Sequence, residues 1–498
     1  MAQTEATTQY VVLPPRGLRP RGPGATPRVE AFLRSAPTGP GEAELSGGGA
    51  TRCRVLDSIG DDGAKLIEAT PQEALALRAA QPSARIVPVL HYSPAVAPRR
   101  EVRAQVASLA RQTAPGPITV RVVSESDAAP VAGAFVLAFT DLAGSAGARA
   151  VTDDDGYAEL DLDGPSAPVE RLYVYPVTAY WTLRLEAMTL TDGAEITLHP
   201  IDLGYTDCLR HYYRDVADDA GEGVTVGIVD TGVAEHPDLV IDGGANTVAG
   251  EDDTDFGDNG DGHGTHVAGI VAARGVPPTG IRGVAPGVKL RSYRVYGFGQ
   301  RQATNFAIAK GIDQAVADGC DLVNISFSGG MPDPVISAAI EDARAFGSLV
   351  IAAAGDTGRG PVRHPAADAL AVAVSALGRK GTFPDDAAEV DDIGEPFGND
   401  PAEFIGAFSN VGPQIDLTGP GIGVISTYPG GYTEISGTAM ATPAVTGMAA
   451  QLLAGSPETL AAPRDAARSE AILALLLAAA RDRGFPDPLE GHGLPQPC

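Results

Sequence analysis

The hydrophobic pattern changes texture twice along the chain. From about residue 205 onward, unbroken apolar runs recur: GVTVGIVD, VKLRSYRVYG, DLVNIS, SLVIAAAG and ALAVAVS. Runs of this kind are expected of strands covered on both faces. Between them lie the helical stretches HGTHVAGIVAA, NFAIAKGIDQAVADG and PVISAAIEDARAFG. This alternation predicts an α/β domain over residues 201–498, doubly wound around a mostly parallel sheet. Such sheets carry their sites at the carboxyl ends of the strands.

Residues 117–200 read differently. PITVRVVSE, GAFVLAFTD, GYAELDLD, ERLYVYPV, WTLRLEAMTL and AEITLHP alternate apolar and polar positions between Gly, Pro and Asp turns. Short strands at this spacing predict an all-β sandwich. The DDDG at 153–156 could contact calcium or form an acidic hairpin turn.

Residues 1–100 predict a small α+β domain. QYVVLPP is a strand, and a Pro/Gly-rich stretch over 14–50 reads as a long loop. RVLDSIGDDGAKLIEAT gives two strands around a turn, and TPQEALALRAAQ gives a helix. Thr70 is its N-cap, Pro71 its first residue and Glu73 the partner in a capping box. ARIVPVLHY closes the unit as another strand. Residues 101–116 read as a linker.

Composition narrows the function classes. The net charge of −27 argues against nucleic acid or an anionic membrane as partner. No apolar run reaches the ~18 residues of a membrane span. The greasy stretch at 471–480 reads as a packed helix. Cys53, Cys208, Cys320 and Cys498 have no metal spacing. Free thiols are expected, with a Cys208–Cys320 bridge as the alternative. The first residues lack a basic, then apolar leader, which predicts a cytoplasmic protein, or a secreted one whose leader has been removed.

Three blocks carry candidate chemistry: VTVGIVDTGVAEHPDL, DGHGTHVAGIVAA and SGTAMATPAVTG. Asp230 closes an apolar strand, where its carboxylate can accept from an imidazole N–H and fix the tautomer. His263 opens a helix between Gly262 and Gly264. His266, one turn on, reads as a structural histidine. Zinc would need a third ligand and an acid between the histidines, and Gly264 and Thr265 supply none.

In content and order these blocks resemble the aspartate, histidine and serine blocks of the subtilisin-like serine proteases (subtilases). GVAPGVKL, LVNISFSGG, RHPAADALAVAV and FSNVGPQIDLTGPG match that family too. The resemblance implies a triad of Asp230, His263 and a serine at 439, where this chain has Ala439. The alanine keeps the backbone N–H at a helix start, where an oxyanion can be held, and removes the nucleophile. A second departure is Asp356, which stands where the family's side-chain amide donates to the oxyanion. A protonated Asp356 could donate instead if burial raised its pKa.

The resemblance further implies that substrate backbone pairs with Ser326, Phe327 and Ser328. It places Gly355, Ala366 and Gly437 around the substrate. Asp252, Asp255 and Asp258 are candidate oxygen ligands for calcium, common in the family. The run lacks EF-hand spacing, and a metal-free polar loop is equally open. The acidic stretch 379–405 reads as a solvated surface loop or as a contact for basic substrates. Residues 1–100 resemble the family's inhibitory propeptide, and 117–200 resemble a transthyretin- or carboxypeptidase-regulatory-type sandwich. The implied protein is a serine endopeptidase acting on peptides or proteins, with its own propeptide as intramolecular inhibitor and no required cofactor. Ala439 fits an inactivated variant of it. The alternative is a natural pseudoprotease that binds peptides or scaffolds.

Overall fold

A computed structural model describes residues 6–20, 27–44, 52–105, 117–162 and 164–497. The later part of the expected 101–116 linker and Cys498 lie outside them.

The largest sheet has eight strands. Thr225–Asp230 lies between Lys289–Arg294 and Leu322–Ile325, parallel to both. Leu349–Ala353 and Val372–Arg379 extend the sheet in parallel on one side, and Gly244–Asn246 on the other. Only Glu403–Ile405 runs antiparallel to its neighbour among these described strands. Both faces are buried, which is why the sequence shows runs rather than alternation. Val226, Ile228, Leu349 and Ile351 face a core shared with Val267, Ile270 and Val445. Val229, Val323, Ile325 and Val350 face another, shared with Phe306, Ile312 and Ile340. The chain leaves Thr225–Asp230 toward one side and returns to the other, so a crevice opens at that strand's carboxyl end.

The first unit is a five-stranded sheet in the order Gly41–Glu44, Arg52–Ser58, Lys65–Ala69, Thr8–Leu13 and Arg85–Pro88. The helix Pro71–Ala80 has the capping box read from Thr70 and Glu73. The 14–50 stretch differs from the expected loop: it holds a helix, Pro27–Ser35, and the strand Gly41–Glu44. Val29, Phe32 and Leu33 bury one stripe of that helix, and the prolines and glycines on either side hid its short period. The stretch ARIVPVLHY also splits. Arg85–Pro88 stays in this sheet, while His91–Pro94 leaves it for the α/β unit.

Between these two lies a unit of two sheets around one apolar core. One sheet runs Leu183–Thr191, Ser166–Tyr175, Phe135–Asp141, Ala146–Val151 and Ala104–Gln105; the other runs Tyr157–Leu160, Ile118–Ser124 and Ala194–Leu198. Asp153 turns its Oδ1 to the N–H groups of Asp155 and Tyr157, which closes the acidic turn.

Among the described residues, no helix is long and apolar enough to cross a membrane. Cys53, Cys208 and Cys320 are buried free thiols, so the alternative Cys208–Cys320 bridge is not formed. Cys208 lies against the Leu377 carbonyl, and Cys320 lies against the Tyr293 hydroxyl in the core around Phe306.

Candidate active site

Asp230 ends the central strand, fully buried. Its Oδ1 accepts from the Thr231 N–H and from His263 Nδ1, both at 2.7 Å. An ionised carboxylate only accepts, so the proton sits on Nδ1 and leaves Nε2 of the neutral ring as a base. That Nε2 is buried without a hydrogen-bond partner. Burial disfavours the imidazolium, yet the charge and hydrogen bond of Asp230 outweigh it and hold the His263 pKa above its ordinary value. The histidine opens the helix His263–Ala272, which packs tightly on the loop after Asp230. A Cβ on Gly264 would lie 2.3 Å from the Gly232 carbonyl oxygen. His266 faces the Val424 and Thr433 carbonyls at 3.1 Å each. Burial lowers its pKa to about 3, so it stays neutral and structural.

The helix Thr438–Ala454 brings Ala439 to the same crevice, with its first turns buried. Its start is pinned to the sheet. Ser326 Oγ donates to the Ala439 carbonyl at 2.8 Å, Asn324 Nδ2 to Ser326 Oγ at 2.9 Å, and Thr446 Oγ1 to Asn324 Oδ1 at 2.9 Å. Asp356 turns both oxygens onto Thr438, accepting from its N–H at 2.8 Å and its hydroxyl at 2.9 Å. Burial pushes its pKa up to about 7, against those two hydrogen bonds and the charge of His263.

The crevice is filled by the chain itself. The strand His91–Pro94 lies between two edges, pairing with Ala303–Thr304 on one side and Phe327–Ser328 on the other. The Ala95 N–H donates to the Ser326 carbonyl at 3.1 Å. The Ala95 carbonyl oxygen accepts from the Ala439 N–H at 2.9 Å, and the Ala97 N–H donates to the Ser436 carbonyl at 2.8 Å. Gly437 permits this approach, because a Cβ there would lie 2.5 Å from the Ala95 oxygen and 2.8 Å from the Val96 Cα. A continuous peptide thus crosses the helix start, with the Ala95 carbonyl held by the backbone of position 439.

Sequence reasoning placed Ser326, Phe327, Ser328 and Gly437 against a substrate backbone, and these residues hold residues 93–97. Gly355 adjoins Ser328, whose Oγ would lie 3.2 Å from a Cβ added there. Ala366 packs in the apolar core that also contains Val362 and Ala371. The reading missed the second edge, Ala303–Thr304, and the threading of residues 91–97. The signal was available: Pro94-Ala95-Val96-Ala97-Pro98 is a run of small residues between prolines, which favours extended chain.

The acidic stretch corrects its reading as a solvated loop. Glu389 accepts from the Thr182 hydroxyl at 2.7 Å, Asp391 from Arg184 at 2.7 Å and from Tyr173 at 2.5 Å, and Asp386 faces His199 at 3.0 Å. These carboxylates join the two-sheet unit to the α/β unit. The candidate calcium ligands do not converge. Asp252 accepts from Thr254, Asp255 pairs with Arg294, and Asp258 accepts from the N–H groups of Gly260 and Gly262. Among the described residues, no group of three or more His, Cys, Asp or Glu side chains is placed to hold a metal ion.

The chain matches the subtilase family over residues 221–494. It is 38% identical to subtilisin BL of Lederbergia lenta over 238 residues, covering 48% of this chain and 78% of the relative. Subtilisin Savinase of the same organism is 37% identical over 238 residues, with the same coverage. Subtilisin DY of Bacillus licheniformis is 38% identical over 243 residues, covering 48% of this chain and 79% of that protein.

Proposed function

The chain belongs to the subtilase family, and on that premise we propose that it is a self-inhibited serine endopeptidase precursor, halted by Ala439 with its own Ala95–Val96 bond in the catalytic crevice. The hydrogen bond from the Ala439 N–H to the Ala95 carbonyl carries this reading. It aligns one peptide carbonyl with the backbone donor that a catalytic serine at 439 would present.

With serine at 439, the hydroxyl attacks the Ala95 carbonyl carbon while His263 Nε2 takes its proton. Asp230 holds the ring in the required tautomer and stabilises the imidazolium. Negative charge develops on the Ala95 oxygen, where the 439 N–H stabilises it, while Asp356 holds the adjoining helix start through Thr438. His263 then returns the proton to the Val96 nitrogen as the C–N bond breaks. Water attacks the Ala95 ester with His263 as base and frees the Ala95 carboxylate and the serine. With alanine at 439 no acyl-enzyme forms, and the segment stays as an uncut occupant. Residues up to Ala95 act as inhibitor, and the two-sheet unit stays joined to the protease.

Restoring the nucleophile tests this. Full-length Ala439→Ser protein should react with a fluorophosphonate probe, while Ala439→Ser/His263→Ala should react at least about a thousandfold more slowly. No labelling of Ala439→Ser would instead favour a pseudoprotease.

A further inference from the structure

Tyr92 precedes Ala95 by three residues and is 1% exposed. Its ring meets Phe327 edge-to-face at 6.0 Å. It also lies close against Gly329, where an added Cβ would come 2.5 Å from a ring carbon. Apolar walls explain why an aromatic ring fits. They do not explain the floor of this pocket, which is a carboxylate. The Tyr92 hydroxyl donates to Asp333 Oδ2 at 3.0 Å, and Asp333 is itself 1% exposed. Its Oδ1 is already engaged by the Val335 N–H at 2.9 Å and by Asn305 Nδ2 at 3.3 Å. A ring without a hydroxyl would therefore bury Oδ2 with its donor removed, and a buried charged oxygen without a donor is costly. Sites built to bond a substrate hydroxyl reject analogues lacking it far more strongly than apolar pockets reject a missing methylene.

We propose that Asp333 is a specificity-determining residue, reading the hydroxyl of a tyrosine four residues before the cleaved bond. This rests on Ala95–Val96 being the bond presented for hydrolysis. The substrate class is then peptides with tyrosine at that position, and phenylalanine is discriminated against although its ring fits the walls.

Two measurements test it. In the full chain with Ala439, amide hydrogen exchange over residues 93–97 reports how firmly the segment is held. Tyr92→Phe and Asp333→Ser should each speed that exchange about 5- to 100-fold, and the double variant no more than either alone. Serine keeps the N-cap of the helix Pro334–Ala345 but is too short to reach the phenol. Independent, additive effects would overturn the proposal. In Ala439→Ser protein that has processed itself, two peptides differing only in Tyr or Phe at that position should differ about 10- to 100-fold in kcat/KM. Asp333→Ser should bring the ratio close to one, chiefly by raising the rate of the Phe peptide toward that of the Tyr peptide. Equal rates in the parent would overturn the proposal. If neither peptide is cut, the protease reading fails, and the exchange cycle alone decides whether Asp333 reads the hydroxyl.

Discussion

Two units are attached to the α/β unit, and they hold to it by different chemistry. The first unit meets it across apolar surface: Val11, Leu13, Leu18 and Leu66 share a core with Phe306 and Ile336. A few polar contacts surround that core, including the Lys310–Asp57 pair at 2.7 Å and the Leu18 N–H on Asp342 at 2.8 Å. The two-sheet unit meets it through the acidic stretch, with Arg171 and Arg184 on Asp391 and Thr182 on Glu389. It also drives Trp181 into the main core, packed edge-to-face on Tyr205 at 5.3 Å. Cutting Ala95–Val96 would leave the first unit held only by its noncovalent face. The two-sheet unit would remain in the same chain, keyed into the core of the protease. Under the proposed cut, the first surface is the one an inhibitor must leave, and the second keeps a permanent part.

This contrast can be broken most directly at Trp181, which is 2% exposed. Trp181→Ala should cost about 3–5 kcal/mol in denaturant unfolding, as expected for deleting a large core side chain. A loss under about 1 kcal/mol would mean the two-sheet unit is only loosely appended.

In the proposed self-cleavage, the titration of Asp356 sets the pH window. Burial raises its folded pKa to about 7, above the unfolded value of about 4. The folded state then holds a proton that the unfolded state has lost. This contribution to stability is fully present below about pH 4, falls as pH rises to about 7, and is level above it. In the proposed reaction, the charge of an ionised Asp356, held against Thr438 beside Ala439, opposes the developing oxyanion. Self-cleavage of Ala439→Ser should therefore slow above about pH 7, and adding Asp356→Asn should raise the alkaline rate about tenfold or more. Identical pH profiles would remove Asp356 from the oxyanion site.

The smallest effect belongs to the rim of the first unit. Lys310 is 28% exposed and Asp57 14%, so Lys310→Ala should weaken the docking of that unit by at most about 1 kcal/mol. A separated 1–95 fragment titrated onto the processed protein would measure it. A much larger loss would make this face as charge-dependent as the other.

The pairing of Asp230 with His263 was legible in the sequence because each residue sits at a forced position. Asp230 ends a strand buried from Val226 onward, and His263 opens a helix between glycines that close packing requires. The two-sheet unit was legible from its alternation, apart from Ala146–Val151, whose alanines and glycine give no clear period. The crevice occupant was legible only as an extended segment between prolines, because pairing between residue 92 and residue 303 leaves no local trace of where that segment docks. Glu389 and Asp391 misled for a related reason. Acidic residues look solvated until the arginines and threonine of a distant unit are known to cover them.

The chain is held with Ala95–Val96 across its own crevice at Ala439, and in the proposed reaction this is the bond that is cut. Intact mass and N-terminal sequencing of full-length Ala439→Ser protein test it most directly. The predicted result is one cut, giving a fragment that begins at Val96 and retains both the two-sheet unit and the protease. An uncut chain, or a cut beyond residue 200 that frees the two-sheet unit along with the first, would contradict it.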